Sequence, residues 1–218
     1  MLRPTVGIAL LFALVLGCAI GVGELLRLVE RPDGSTGLDH SITWWVVSHR
    51  TGGLTASVAR GFAELGSTKV LGPLVAIVAI ALIVRGRSGG AALLIGAWAG
   101  SIALYDVTKA VVARPRPPAS IALTTAQNSS FPSGHATQSL ATWTTLTVIS
   151  IALWPRSKVP VAIAAACLLT AIGWSRVYLG VHWATDVVCG WAIAAAWIAG
   201  GSRVVRPFPP RPGTSDAP

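Results

Sequence analysis

"GAALLIGAWAGSIALYDVT" (Gly90–Thr108) is an apolar run that ends abruptly on Lys109 and the proline-stiffened basic stretch "ARPRPP" (Ala113–Pro118). A helix needs roughly 17–25 such residues to cross the hydrocarbon core of a bilayer, and this run supplies them. Working outward, five more runs share its character: Thr5–Leu26, Ser67–Val84, Ala136–Trp154, Val159–Trp174 and Trp183–Gly200. Composition agrees, with 53% hydrophobic residues, 11% charged and a mean hydropathy of +0.66; a soluble domain carries about 25% charged residues. The chain therefore reads as an all-α, polytopic membrane protein with six transmembrane helices in one bundle, and no length is left for a second soluble domain. The domain is expected over residues 1–204, and the proline-rich tail over 205–218, ending "RPFPPRPGTSDAP", is expected to be disordered.

The first run could be mistaken for a removed signal, since "VLGC" (Val15–Cys18) faintly resembles a lipoprotein cleavage site. It stays apolar through Leu26, longer than a usual signal core, so a retained helix is expected. Cys18, Cys167 and Cys189 all fall inside expected helices, odd in number and without ligand-like spacing. Neither a disulfide framework nor a zinc site follows, and small buried packing residues are expected. Trp154, Trp174 and Trp183 fall at helix ends, where amphipathic rings favour the membrane interface. The long connection Arg27–Lys69 is expected to be partly helical, with Leu54, Val58, Phe62 and Leu65 on one face and Gly66 as a stop. It would lie on the membrane surface or lid the mouth of the bundle.

The formal charge of +9 is read as membrane topology and site chemistry, with no nucleic-acid partner expected. Six spans put Arg3, Arg85–Arg87, Arg156–Lys158, Arg203, Arg206 and Arg211 on one side. Arg27, Arg31, Arg50, Arg60, Lys69, Lys109, Arg114, Arg116 and Arg176 fall on the other. The count is a tie, but the second set includes a long loop, where the positive-inside bias counts less. Both termini are therefore expected in the cytoplasm of a bacterial plasma (inner) membrane protein, with the second set facing outward.

Two outward connections hold the chemistry. The first opens on "DVTKAVVARPRPP" (Asp106–Pro118). Lys109, Arg114 and Arg116 can pin a helix to anionic headgroups or clamp a phosphate, for which the arginine fork and the lysine point charge are suited. Asp106 is placed to pair with Lys109. The same connection ends on "FPSGH" (Phe131–His135), where Ser133 is a good N-cap. Helix N-termini bind anions, so Ser133 and the Gly134 N–H form a phosphate cradle, or Ser133 simply caps and His135 simply faces water. The second connection is "WSRVYLGVHWATDVV" (Trp174–Val188). His182 and Asp186 share a helical face. An aspartate on one ring nitrogen fixes the tautomer and frees the other nitrogen to attack, although a plain surface pair has the same spacing. Asp186 favours the protonated imidazole and a helix N-terminus disfavours it. Arg176 can return across the turn as a further anion ligand.

Taken together, Lys-x6-Arg-Pro (Lys109–Pro117), Pro-Ser-Gly-His (Pro132–His135) and Ser-Arg-x5-His-x3-Asp (Ser175–Asp186) occur in order at one face of the bundle. This tripartite signature resembles the type 2 phosphatidic acid phosphatase family, which shares its site with the vanadium-dependent haloperoxidases. The resemblance implies that His182 is the nucleophile forming a phosphohistidine, that Asp186 holds its ring, and that His135 is the proton donor and then the base. It implies that Lys109, Arg116, Arg176, Ser133 and the Gly134 N–H hold the phosphoryl oxygens, and that no metal or cofactor is needed. Family spacing selects Arg116, with Arg114 a competitor for part of that role. The expected substrate is a membrane lipid phosphate. An outward site favours a polyprenyl diphosphate, with phosphatidic acid and phosphatidylglycerol phosphate as close rivals. A lipid phosphotransferase would use the same site; a non-catalytic lipid-binding or transport protein would lose a histidine or place its charges at the midplane. Oligomeric state is not written in the apolar faces.

Overall fold

A computed structural model describes residues 4–204; the expected tail at 205–218 lies outside the described residues. The elements are α1 (Pro4–Leu28), α2 (Gly37–Ser48), α3 (Gly53–Leu65), α4 (Thr68–Val84), α5 (Ser88–Val112), α6 (Gly134–Leu153), α7 (Lys158–Tyr178) and α8 (Ala184–Val204), with short 3-10 turns at Ala119–Ile121 and Pro155–Ser157. Helices occupy all six expected apolar runs, and the long connection after α1 carries two further helices, α2 and α3.

Four stretches, Thr5–Leu28, Ser88–Val112, Pro155–Tyr178 and Ala184–Ser202, are long and apolar enough to cross a bilayer alone. The pair α3 and α4, bent by 42° at Gly66–Ser67, qualifies together as a broken span or a re-entrant loop. By length and apolarity, four to five spans therefore stand out instead of six. The remaining helix, α6, has a physical reason for reading as less apolar. It packs against α4, α5, α7 and α8, so Thr137, Gln138, Ser139, Thr142 and Thr145 are buried against protein instead of facing lipid. Their polar atoms are largely satisfied locally: Thr137 Oγ1 donates to the Ser133 carbonyl at 2.9 Å and Thr145 Oγ1 to the Ala141 carbonyl at 2.7 Å. Gln138 accepts from Thr68 Oγ1 and donates to the Gly66 carbonyl, each at 3.0 Å, fastening α6 to the bend.

Several sequence expectations are corrected. Cys18 and Cys167 are exposed and Cys189 half-buried, so they are not core packing residues; on an apolar helix an outward cysteine faces lipid as easily as it packs. Trp154 is 62% exposed, as an interfacial ring should be, but Trp183 is only 1% exposed and its indole donates to the Pro115 carbonyl at 3.0 Å. Asp106 forms no ion pair with Lys109, whose ammonium turns to the Ser129 carbonyl at 2.7 Å instead. In α3 the buried face is Ala56, Ala59 and Ala63, packed on α7. Leu54 and Val58 point outward.

The connection between α5 and α6 is closed on itself by Ser130, whose N–H donates to the Arg114 carbonyl and whose Oγ donates to the Pro115 carbonyl, each at 2.8 Å. It is stitched to the connection between α7 and α8 by the Leu123 N–H, which donates to the Leu179 carbonyl at 2.9 Å. The C-terminal ends of α5 and α7 and the N-terminal ends of α6 and α8 thereby meet at one end of the bundle.

Candidate active site

α8 begins with its own cap. Asp186, the third helical residue, takes the Trp183 N–H on Oδ2 at 2.9 Å, the carboxylate half of a capping box. The same oxygen stands 3.4 Å from His182 Nδ1, and Oδ1 takes Arg114 Nη1 at 2.6 Å. One turn of helix thus holds the histidine, the aspartate and the reason the aspartate points where it does.

The other ring nitrogen, His182 Nε2, lies 3.3 Å from Arg116 Nη1. A guanidinium can only donate, so Nε2 carries the lone pair and Nδ1 the proton, which faces Asp186. The tautomer follows from the two neighbours together. Arg116 is itself fixed by carbonyl oxygens: Nε on Asn128 at 2.9 Å, Nη2 on Gln127 at 2.7 Å, and Nη1 on Val181.

His182 is buried, and burial pushes its pKa well below the ordinary 6.5, helped by the positive charges of Lys109, Arg116 and Arg176 and opposed by a contact to the Ser130 main chain. Burial and the three cations thus favour the neutral imidazole against the pull of Asp186. Arg114 contributes by partly neutralising Asp186.

Lys109 Nζ donates to the carbonyls of Ser129 and Ser130, at 2.7 and 3.3 Å, and sits close enough to act on the His182 charge. Ser133 is the N-cap of α6: its Oγ accepts the Ala136 N–H at 3.4 Å and its own N–H donates to the Asp186 carbonyl at 3.0 Å. Among the described residues no partner takes the Gly134 amide, one of the unpaired donors that a helix N-terminus presents to an anion. Arg176 is buried with its Nε unpartnered.

Arg176 and His135 line a cavity of about 440 Å³, walled by Arg60, Glu64, Thr68 and Lys69 from the α3–α4 bend and by Thr124 and Thr125. A neighbouring cavity of about 580 Å³ shares Thr124 and Thr125 and reaches Arg116 and Val181. Gly66 makes the bend possible at this place: a Cβ there would stand 2.7 Å from Ile172 and 3.6 Å from the His135 ring. The α3–α4 break is thus a wall of the mouth.

The structure sets His182 between Arg116 and Asp186, ties Ser133 to the Asp186 carbonyl, holds Lys109 on the Ser129 and Ser130 carbonyls, and places His135 with Arg176 in the adjoining cavity. It turns Arg114 away from that cavity, 1% exposed and bonded to Asp186 from behind. Arg60, Lys69, Thr124 and Thr125 were not singled out by motif, because nothing in their local sequence distinguishes them from ordinary interfacial residues. Among the described residues no group of three or more His, Cys, Asp or Glu side chains is spaced to hold a metal ion.

Comparison with known proteins supports the fold and gives the family. The chain is 29% identical over 139 residues to phosphatidylglycerophosphatase B of Bacillus subtilis (strain 168), covering 62% of this chain and 68% of that protein. The crystal structure of a transmembrane PAP2-type phosphatidylglycerolphosphate phosphatase from Bacillus subtilis superposes with a TM-score of 0.73 at 24% identity, over 96% of this chain and 100% of that one. LpxE of Aquifex aeolicus superposes with a TM-score of 0.63 at 26% identity, over 78% and 96%. The family model of the PAP2 superfamily matches residues 90–208, more than half of the chain and all three motifs. The chain belongs to the PAP2 superfamily, among its membrane lipid phosphatases.

Proposed function

We propose that this protein removes phosphate from a membrane lipid phosphate or diphosphate through a phosphohistidine on His182, without a metal ion. The observation that carries the reading is the orientation of His182, with Nδ1 toward Asp186 and Nε2 beside Arg116. Phosphate oxygens held by Arg116, Lys109, Arg176, Ser133 and the Gly134 amide put phosphorus in front of the Nε2 lone pair, and the same donors stabilise charge that shifts in the transition state. Nε2 attacks phosphorus as the bond to the lipid oxygen breaks, and His135 supplies the proton which that oxygen needs to leave. Water then attacks the phosphohistidine, His135 takes its proton, and the N–P bond breaks to release inorganic phosphate.

Arg60 and Lys69 at the mouth give a lipid with a second phosphate more to bind than phosphatidic acid offers. We therefore favour a polyprenyl diphosphate, with phosphatidylglycerol phosphate, the substrate named for the Bacillus subtilis relatives, next. The active face is assigned to the outside of the plasma membrane. Phosphate release from undecaprenyl diphosphate, phosphatidylglycerol phosphate and phosphatidic acid, side by side in detergent with chelator present, tests both parts. A clear excess for the two diphosphorylated lipids supports the reading; equal release from phosphatidic acid removes the argument from Arg60 and Lys69.

A further inference from the structure

Behind the candidate active site lies a second buried cluster that the chemistry above does not use. Arg114 extends into it, with Nη1 on Asp186 Oδ1 at 2.6 Å and on Thr185 Oγ1 at 2.7 Å, Nη2 on Asp39 Oδ2 at 2.8 Å, and Nε on the Gly34 carbonyl at 3.0 Å. Glu30 Oε1 is 2.7 Å from Nε, but that N–H is aimed at Gly34, so Glu30 contributes charge without a hydrogen bond. Asp39 reaches α8 directly as well. Its Oδ1 takes the Thr185 N–H at 2.9 Å and its Oδ2 the Thr185 hydroxyl at 2.7 Å.

Asp39 is in turn rigid, because it closes the capping box of α2 with Thr36. The turn before it is tied by Asp33 Oδ1, which accepts from the N–H and hydroxyl of Ser35 at 3.0 and 2.7 Å. Burial alone would raise the Asp39 carboxyl, yet the Thr185 N–H and Arg114 outweigh it and hold the carboxyl below its ordinary range. For Glu30 burial wins, and its carboxyl is raised.

One guanidinium therefore faces three carboxylates, from the loop after α1, from α2 and from α8. A plain structural ion pair would need only one of them. What the arrangement adds is a fixed direction for the Asp186 carboxylate: Arg114 pulls on Oδ1 and leaves Oδ2 for Trp183 and His182. We propose that Arg114, braced by Asp39 and Glu30, is a positioning residue that sets Asp186 and through it the Nδ1-protonated tautomer of His182, so that the first outer segment is part of the catalytic assembly. This rests on the reading of His182 as the nucleophile. The titratable and charged groups acting on the His182 ring are Asp186, Lys109, Arg116, Arg176 and His135; Arg114 acts on it only through Asp186.

The test uses the full-length protein in detergent and the variants Asp39→Asn, Arg114→Lys and Arg114→Gln. Asparagine keeps the shape of Asp39 and an acceptor for Thr185 but removes the charge that braces Arg114. Misplacing a reacting group by a change away from the chemistry can cost up to about 100-fold, so Asp39→Asn is expected to lower kcat by about tenfold with KM within about twofold. Arg114→Lys should recover part of what Arg114→Gln loses. The chain has only four histidines, so imidazole nitrogen NMR, assigned with His182→Gln, reads the His182 tautomer without any turnover. Wild type should show Nδ1 protonated, and Arg114→Gln a shifted tautomer mixture with the acid limb of kcat/KM at higher pH. An unchanged tautomer with unchanged kcat in folded Asp39→Asn and Arg114→Lys overturns the proposal. A kcat that falls only in proportion to lost folded protein overturns it as well. Failure of the function reading looks different: no phosphate release by wild type, whatever the tautomer.

Discussion

Replacing Asp186 by asparagine isolates what its charge does. The carboxylate takes Arg114 on Oδ1 at 2.6 Å and, on Oδ2, the Trp183 N–H at 2.9 Å with His182 Nδ1 at 3.4 Å. Asparagine offers one acceptor oxygen and one donor NH2, so only one side can be kept. With its oxygen toward Trp183 and His182, the NH2 meets Arg114 donor to donor in a buried place. With its oxygen toward Arg114, the NH2 meets the Trp183 N–H and makes His182 Nδ1 an acceptor, which moves the ring proton to Nε2, the attacking nitrogen. Arg114 keeps Asp39 and Glu30, so the first arrangement leaves no isolated charge and costs about 1–3 kcal/mol for the facing donors. The second carries a cost of the same kind, because the NH2 faces the Trp183 N–H and a protonated Nε2 faces Arg116. It also presents the wrong tautomer, for which a loss of about 10³–10⁴ in kcat is the scale in histidine–aspartate sites. Steady-state kinetics on a lipid diphosphate, together with thermal unfolding, separates the two costs. The expected result is a kcat lower by at least about 10³-fold in a protein that still folds and still binds substrate. A folded Asp186→Asn enzyme with kcat within about tenfold of wild type would refute the reasoning from tautomer.

His182, neutral because its pKa lies well below 6.5, should put the acid limb that it contributes to kcat/KM below 6.5; a limb from this residue at or above that value contradicts the charge assignment. The same shift affects stability. The unfolded chain binds the proton first, so this contribution is complete above the unfolded value and is lost as pH falls below it toward the folded value. Melting temperature measured across that window should drop on acidification, and His182→Gln should remove part of the slope. Gly180 has φ +70°, and a Cβ there would stand 2.5 Å from the Ile121 carbonyl oxygen. Gly180→Ala should destabilise by about 1–3 kcal/mol from backbone strain alone and lower kcat by displacing the turn that carries His182, read by denaturant unfolding and initial rates. Phosphate release should survive a strong chelator; loss that a divalent ion restores would require a metal in the mechanism.

Much of this protein was legible in its sequence because membrane helices and short motifs are local signals. The apolar runs located all six bundle helices, and the three motifs located Arg116, His182 and Asp186, which meet in space. What was not legible was direction. Lipid is as apolar as a packed core, so nothing local says that Cys18 and Cys167 point out, that Trp183 points in, or that α3 buries its alanines and shows its leucine. α6 was found as a run, yet its buried threonines and Gln138 make it the least lipid-like of the bundle helices. Arg114 and Arg116 each precede a proline and are chemically equivalent in the sequence. Their difference is made by Asp39, 75 residues away, and by the carbonyls of Gln127 and Asn128. The mouth residues Arg60 and Lys69 become visible only when α3 and α4 bend over His135.

The central claim is a covalent phosphohistidine at His182. Substrate carrying a radiolabel on its terminal phosphate, mixed with the purified protein and quenched in base within the first turnover, measures it directly. The account predicts a labelled protein whose label survives base, is lost in acid, maps to His182 and is absent from His182→Gln. Turnover by His182→Gln at the wild-type rate, or label on any other residue, would contradict it.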